Sequence, residues 1–327
     1  MGGAVKLDEA VTATRYTLSE EWKAMREKVD WMHAPGMAAY VNGLVSGRSM
    51  DDGGHWAAYA RREHIEVLFN KRKRAILPKP CLHMLSLGCG SGHIESSLLG
   101  QHQWPVSRLV GLEYDERLRS HAAAHFEREF PKVEAEFRHF DFDHPMVLEE
   151  RFDIVFCCHA IHHATDLEAF LPAINNYLKD DGLFVGIDFF GPTRFQIEYD
   201  VLPMIREMFD LLPAHFRRDL RDPEGAVAQR FEPDSIRVVR DADVSESVRS
   251  SDLRTLLFSN FPIIDMKPMG GTLLRWLLQY RAGNFLANNP DHVAIIRLLQ
   301  IIEREMIASR KIRSDDLFFV LGKSDRL

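Results

Sequence analysis

One stretch, Leu85-Ser86-Leu87-Gly88-Cys89-Gly90-Ser91-Gly92-His93, limits the folds open to this chain more than any other. An apolar run stops in three glycines at alternate positions, and a helical pattern opens at His93. Glycine enters left-handed backbone conformations without a Cβ penalty and lets a ligand approach the main chain. The helix that follows presents unpaired N–H groups at its N-terminus. Strand, turn and helix together therefore suit a pyrophosphate or the carboxylate of an amino-acid-like ligand. The dinucleotide fingerprint would need glycine at position 93; His93 stands there, which disfavours a nicotinamide oxidoreductase.

The surroundings of the turn fit an α/β fold. From residue 80 to Gly191, short apolar runs alternate with helical stretches, the pattern of βαβ units on a parallel sheet. Strands are expected at 84–87, 108–112, 135–140, 154–157 and 183–188, with helices at 93–100, 116–129 and 166–178. The alternation then lapses. It resumes with a helix at 250–258, a strand at 262–267, helices at 272–287 and 290–308, and a last strand at 317–321. Residues 7–76 read as helical around a glycine-rich loop at 46–54. Four parts result: an N-terminal helical lid (1–79), the core (80–191), a cap insertion (192–243), and the last helix and strands of the core with an inserted helix pair (244–327).

Charge and cysteine usage narrow the function. Acidic residues outnumber basic ones, 48 against 41. A chain of that balance is a poor match for a phosphate backbone, whose affinity comes from basic patches. The run Lys71-Arg72-Lys73-Arg74 reads as the solvated end of a helix. Cys81, Cys89, Cys157 and Cys158 complete no zinc spacing, so no metal site is expected, and few unframed cysteines suit a reducing compartment. No signal peptide or membrane span is legible, and a cytoplasmic protein is expected.

Two carboxylates extend the glycine turn. Glu113 closes the second expected strand about 20 residues further on, where an acidic side chain can accept hydrogen bonds from both hydroxyls of a ribose. Asp141, within Phe140-Asp141-Phe142 at the end of the third strand, can accept from an adenine amino group, and the Phe142 ring can pack on a base or in the core.

The order of glycine turn, Glu113, Asp141, Phe152-Asp153-Ile154-Val155-Phe156 and Leu178-Lys179-Asp180-Asp181-Gly182-Leu183 resembles the class I S-adenosylmethionine (SAM)-dependent methyltransferases, over residues 80–192. The resemblance implies a Rossmann-like seven-stranded sheet with helices on both faces and the last strand inserted antiparallel. It implies SAM as cofactor, S-adenosylhomocysteine as product, and residues 80–191 as the SAM-binding core. Gly88, Cys89, Gly90 and Gly92 would meet the methionine portion, Glu113 and Tyr114 the ribose, and Asp141 and Phe142 the adenine; Cys158 and His159 would line the cofactor beyond the fourth strand. Gly191-Pro192-Thr193-Arg194-Phe195-Gln196, Val248-Arg249-Ser250-Ser251-Asp252 and Gly270-Gly271-Thr272-Leu273-Leu274 resemble segments of a small-molecule or glycan-associated subgroup of these enzymes.

Methyl transfer needs an aligned, deprotonated nucleophile, and positioning supplies much of the acceleration. His162 and His163 follow the fourth strand at the edge where open α/β sheets bind ligands, and either can act as a base near neutral pH. Asp188, at the end of the fifth strand, faces the same edge. Arg194 and Arg249 can each grip an acidic acceptor through a guanidinium fork, and His55 with Trp56 can form a lid. No Asn/Asp-Pro-Pro-aromatic run or Pro-Cys nucleophile follows the fourth strand, which disfavours DNA methylation. The expectation is methylation of a small molecule, on the oxygen of a hydroxyl or carboxylate. A protein lysine or N-methyltransferase and a non-catalytic SAM-binding partner are the alternatives. The cap helices leave a homodimer open.

Overall fold

The structure, a computed structural model, describes residues 55–75 and 82–327 apart from positions 223, 287 and 326. The expected lid before residue 55, the loop at 46–54 and Cys81 lie outside the described residues. Helices are numbered from the first described one.

A seven-stranded sheet runs through the molecule in the order β3-β2-β1-β4-β5-β7-β6. Its strands are β1 (Leu82–Leu87), β2 (Val106–Glu113), β3 (Glu134–His139), β4 (Phe152–Cys158), β5 (Leu178–Phe189), β6 (Ile263–Gly270) and β7 (Asp316–Gly322). Strands β1 to β5 pair in parallel, whereas β7 lies antiparallel to both β5 and β6. The Rossmann-like sheet with an inserted antiparallel strand is the architecture expected.

Both faces of the sheet are buried, which explains the near-continuous apolar runs of the central strands. Side chains alternate along each strand. Leu85, Leu87, Val155 and Cys157 face α5 (Leu167–Tyr177) and α8 (Ser250–Asn260), while Met84, Ile154 and Phe156 face the other layer. That second layer holds α1 (Trp56–Ala60), which passes through a π turn (Arg61–Ile65) into α2 (Glu66–Ala75), together with α3 (His93–Gly100) and α4 (Glu116–Glu129). Trp56 stacks on Phe156 with ring centroids 6.0 Å apart, and the Tyr59 hydroxyl donates to Asp265 of β6 at 2.6 Å. Within the basic run, Arg72 departs from the solvated helix end expected: its Nε donates to the buried Asp153 at 2.6 Å.

The cap has an apolar core of its own. Helix α6 (Leu202–Leu211) packs against α9 (Leu274–Leu278), and α10 (Pro290–Ala308) closes the cluster, so residues on both sides of α8 share one core. α7 (Ile236–Ala242) completes the helices. The single helix expected at 272–287 is broken. It stops at Leu278, Tyr280 takes a φ of +60°, and a 3-10 turn (Ala282–Asn284) follows. Every side chain from Leu273 to Leu278 is buried, so tertiary packing rather than helical periodicity sets this segment. No described helix is long and apolar enough to cross a membrane.

Candidate active site

The glycine turn is built as its sequence requires. Gly88, Gly90 and Gly92 have φ values of +65°, +54° and +75°. The Cys89 amide donates to the Leu112 carbonyl at 3.0 Å, which ties the turn to β2. A Cβ on Gly88 would sit 2.7 Å from that of Ala160, but one on Gly90 would meet nothing within 4 Å. The turn thus opens a cradle over Gly90 at the N-terminus of α3.

Glu113 stands at the end of β2 beside that cradle. Its carboxylate accepts from the Gly90 and Asp115 amides, each at 2.8 Å. Burial pushes its pKa up, opposed by those backbone donors. Asp141 follows β3 and is held by the Asp143 amide at 2.9 Å and by His144 at 2.9 Å. Phe142 turns inward: its ring lies edge-on to Phe140 and Phe170, and beneath Gly88. The Tyr114 ring lies tilted against His139 with centroids 5.1 Å apart, and Cys89 is buried under the turn.

The loop after β4 is organised by Asp188. This fully buried carboxylate accepts from the Ala160 and Ile161 amides, each at 2.9 Å, from its neighbour Phe189 at 2.7 Å, and from His162 Nδ1 at 2.5 Å. Burial alone would lower the His162 pKa; the Asp188 and Glu246 charges outweigh it and push the group up to about 9. A ring protonated at neutral pH is a poor base. His163 is held below the ordinary imidazole value by burial and by the His162 charge, and its Nδ1 lies 2.9 Å from the Ser245 hydroxyl.

His159 stands beside His162 and Asp188, with a ring nitrogen within 4.8 Å of a ligand atom of each, and also borders open space. Its φ is +51°, its amide donates to the Ile187 carbonyl at 2.8 Å, and it lines a cavity of about 270 Å³. His55, Trp56, His93, Cys158 and Asp316 share that lining; His162, His163 and Asp188 do not. Burial lowers the His159 pKa, so this imidazole is neutral at pH 7. Burial, then the stacked His102 ring at 4.3 Å, takes His55 down to about 4.

Asp316 reaches the cavity because β7 runs antiparallel. Its first residue pairs with Phe189, the last of β5, at the edge where the parallel strands end. One Asp316 oxygen pairs with Arg275; the other is buried with no partner among the described residues. Sequence reasoning missed Asp316, Arg275 and Glu246. The only signal was a charged residue within or beside an apolar run.

Of the two arginines considered for acceptor recognition, Arg194 lies in the segment after β5 and Arg249 precedes α8, and neither lines the cavity. Arg249 grips Glu168 through two bonds of 2.6 and 2.9 Å and Asp252 through a third of 2.9 Å. Arg194 donates from its guanidinium to the Val244 carbonyl and from its amide to that of Ser247, each at 2.6 Å.

A family model described as a methyltransferase domain matches residues 85–186, from within β1 to within β5. Residues 85–186 are a methyltransferase domain. With its strand order, inserted antiparallel strand and glycine turn, this is a Rossmann-like methyltransferase whose cofactor is SAM. No curated protein matches the methyltransferase. Among solved structures, it is similar to a SAM-dependent methyltransferase from Mesorhizobium loti (18% identity, 78% of this chain and 97% of that chain covered, TM-score 0.39). It is also similar to phosphoethanolamine N-methyltransferase 2 of Haemonchus contortus in complex with SAM (15% identity, 92% and 60% covered, TM-score 0.43). A third is the StiE O-MT (12% identity, 79% and 74% covered, TM-score 0.40). Likenesses of this depth carry no acceptor across to the methyltransferase.

The residues present fit the cofactor. The cradle over Gly90, the N–H groups that open α3 and the Glu113 carboxylate are the features an amino-acid nucleoside needs.

Proposed function

We propose that this methyltransferase acts on a hydroxyl of a small molecule seated in the cavity beside α3, with His159 taking the hydroxyl proton. The observation that carries the reading is a half-buried, neutral imidazole lining a cavity of about 270 Å³ together with the Asp316 carboxylate. In this reading Gly88, Gly90, Gly92 and the start of α3 hold the methionine portion of the cofactor, Glu113 the ribose and Asp141 the adenine. When bound, SAM supplies an activated methyl group.

Each residue then has a separate task. His159 Nε2 or Nδ1 accepts the proton, a step in which a positioned base contributes about 10²–10⁴-fold. The Asp316 carboxylate, which lines the cavity, accepts a hydrogen bond from the acceptor and orients it. Trp56 and Ile187 exclude water from the cavity. Asp188 positions the loop rather than meeting the acceptor, since four donors already surround its oxygens.

A hydroxyl is favoured over a carboxylate because no Lys or Arg stands among the described residues that line the cavity. Arg275 is paired with Asp316, and both lining imidazoles with lowered pKa values are neutral. A buried acid unmatched by a cation would pay its full desolvation cost. The test is transfer of labelled methyl from SAM to panels of small alcohols and phenols, amines, carboxylic acids and a lysine-rich peptide. Turnover confined to the hydroxyl panel is expected. Turnover of acids or peptide alone would overturn the reading, and cofactor binding without turnover anywhere would favour a non-catalytic partner protein.

A further inference from the structure

Beside the cavity, the loop after β4 meets the segment between α7 and α8 in a cluster whose side chains take no proton in the proposed transfer. His162, His163 and Glu246 each offer one ligand atom, and the three atoms lie within 4.8 Å of one another. We propose that these three residues form a binding site for a divalent transition-metal ion of the zinc type, joining the sheet edge to the cap.

The supports behind the two imidazoles argue for a ligand role. The Ser245 hydroxyl donates to Asp243 Oδ1 at 2.6 Å, so its oxygen is left to accept from His163 Nδ1–H at 2.9 Å. That relay fixes the tautomer and leaves the lone pair of neutral His163 on Nε2. His162 Nδ1 is engaged in the same sense by Asp188 at 2.5 Å, so the metal would displace the proton of its Nε2, which lies toward Glu246, and release it to solvent. A carboxylate or hydroxyl behind the far nitrogen is the usual arrangement for a metal-bound histidine, where it orients the ring and raises its basicity.

The spacing fits as well. His162 Nε2 and Glu246 Oε1 lie 3.5 Å apart, beyond a normal hydrogen bond. Two donors at about 2.1 Å from a tetrahedral centre are about 3.4 Å apart. The charge is also suitable, since Asp188, Asp243 and Glu246 surround the two imidazoles. Two imidazoles with one carboxylate suit zinc, iron or nickel, whereas magnesium prefers oxygen ligands. No spacing rule could reveal this set, because Glu246 enters from the segment between α7 and α8, which Arg194 clamps at Val244 and Ser247.

The full chain, stripped with a chelator and dialysed, is titrated with Zn²⁺ and with Mg²⁺ by calorimetry, and with Co²⁺ by visible absorption. One equivalent of Zn²⁺, no uptake of Mg²⁺ and the strong visible bands of low-coordinate Co²⁺ are expected. Glu246→Gln and His163→Gln should each weaken Zn²⁺ binding by about tenfold or more. Equal Zn²⁺ affinity in both variants, or no visible Co²⁺ bands, overturns the proposal. If either variant loses its circular dichroism, Ser245→Ala, which only releases the His163 ring, is the second test. A several-fold loss supports the site, and unchanged affinity overturns it.

Discussion

The amide of Gly90 donates to the Glu113 carboxylate at 2.8 Å, so the tip of β2 holds the glycine turn from below. Glu113 therefore has two roles, and its replacement has two costs. Glu113→Ala removes acceptors from two half-buried backbone donors and should lower stability by about 1–3 kcal/mol. It should also weaken SAM binding several-fold. Calorimetric titration and thermal unfolding of the same sample check both; unchanged cofactor affinity would remove Glu113 from the cradle.

The glycines of the turn should separate by experiment. Gly88→Ala forces a Cβ to 2.7 Å from Ala160 at a positive φ, so destabilisation of the whole domain is expected. Gly90→Ala meets open space and costs only the left-handed strain, roughly 1–2 kcal/mol. Its Cβ fills the cradle instead, so the fold should survive while SAM affinity collapses. Equal effects of the two variants on binding and on melting would contradict this.

His159→Asn keeps a residue tolerant of the positive φ while deleting the base. A fall in kcat of about 10²–10⁴-fold is expected, with SAM affinity within a few-fold of the parent. Because burial lowers its pKa, kcat/KM of the parent should stay level through neutral pH. It should drop only below the ordinary imidazole value of about 6.5. A profile that breaks above 7, or full activity in the variant, would assign the proton to another group.

Glu95 makes a prediction about stability. This buried carboxyl accepts from Ser86 at 2.5 Å, has no partner for its second oxygen among the described residues, and is pushed by burial from 4.5 to about 7. Its folded pKa lies above the unfolded one, so the folded state holds the proton while the unfolded state releases it. Stability must then fall as pH rises between those values, by up to roughly 3 kcal/mol. Urea midpoints at pH 5 and pH 8 should converge in Glu95→Gln. The same pH slope in parent and variant would place the ionisation elsewhere.

How much of this was legible in the sequence depends on how local the cause is. The helices at 93–100, 116–129 and 290–308 stand where they were expected, since caps and periodicity set them. Asp115 and Asn289 accept from the first amides of two of these helices. The strand after α5 begins earlier than its apolar stretch at 183–188 implied. Leu178 already pairs with Phe152, and Gly182 lets the chain pass close to the Phe152 carbonyl. The glycine turn and Glu113 could be read because both flank strands whose ends a sequence shows. His162 stands out together with His163, by residue type and by its place after the fourth strand. Two carboxylates, one of them on a remote loop, turn it into a cation and leave the cavity to His159.

The reversed last strand also sets an order of assembly. Glycine turn, Glu113 and Asp141 all emerge from the ribosome well before Asp316, which arrives only with β7 and pairs back onto β5. A nascent chain can thus form its cofactor cradle while the acceptor cavity still lacks one wall. On the proposed reading, the wall that Asp316 adds to the acceptor cavity is synthesised after the residues assigned to the cofactor.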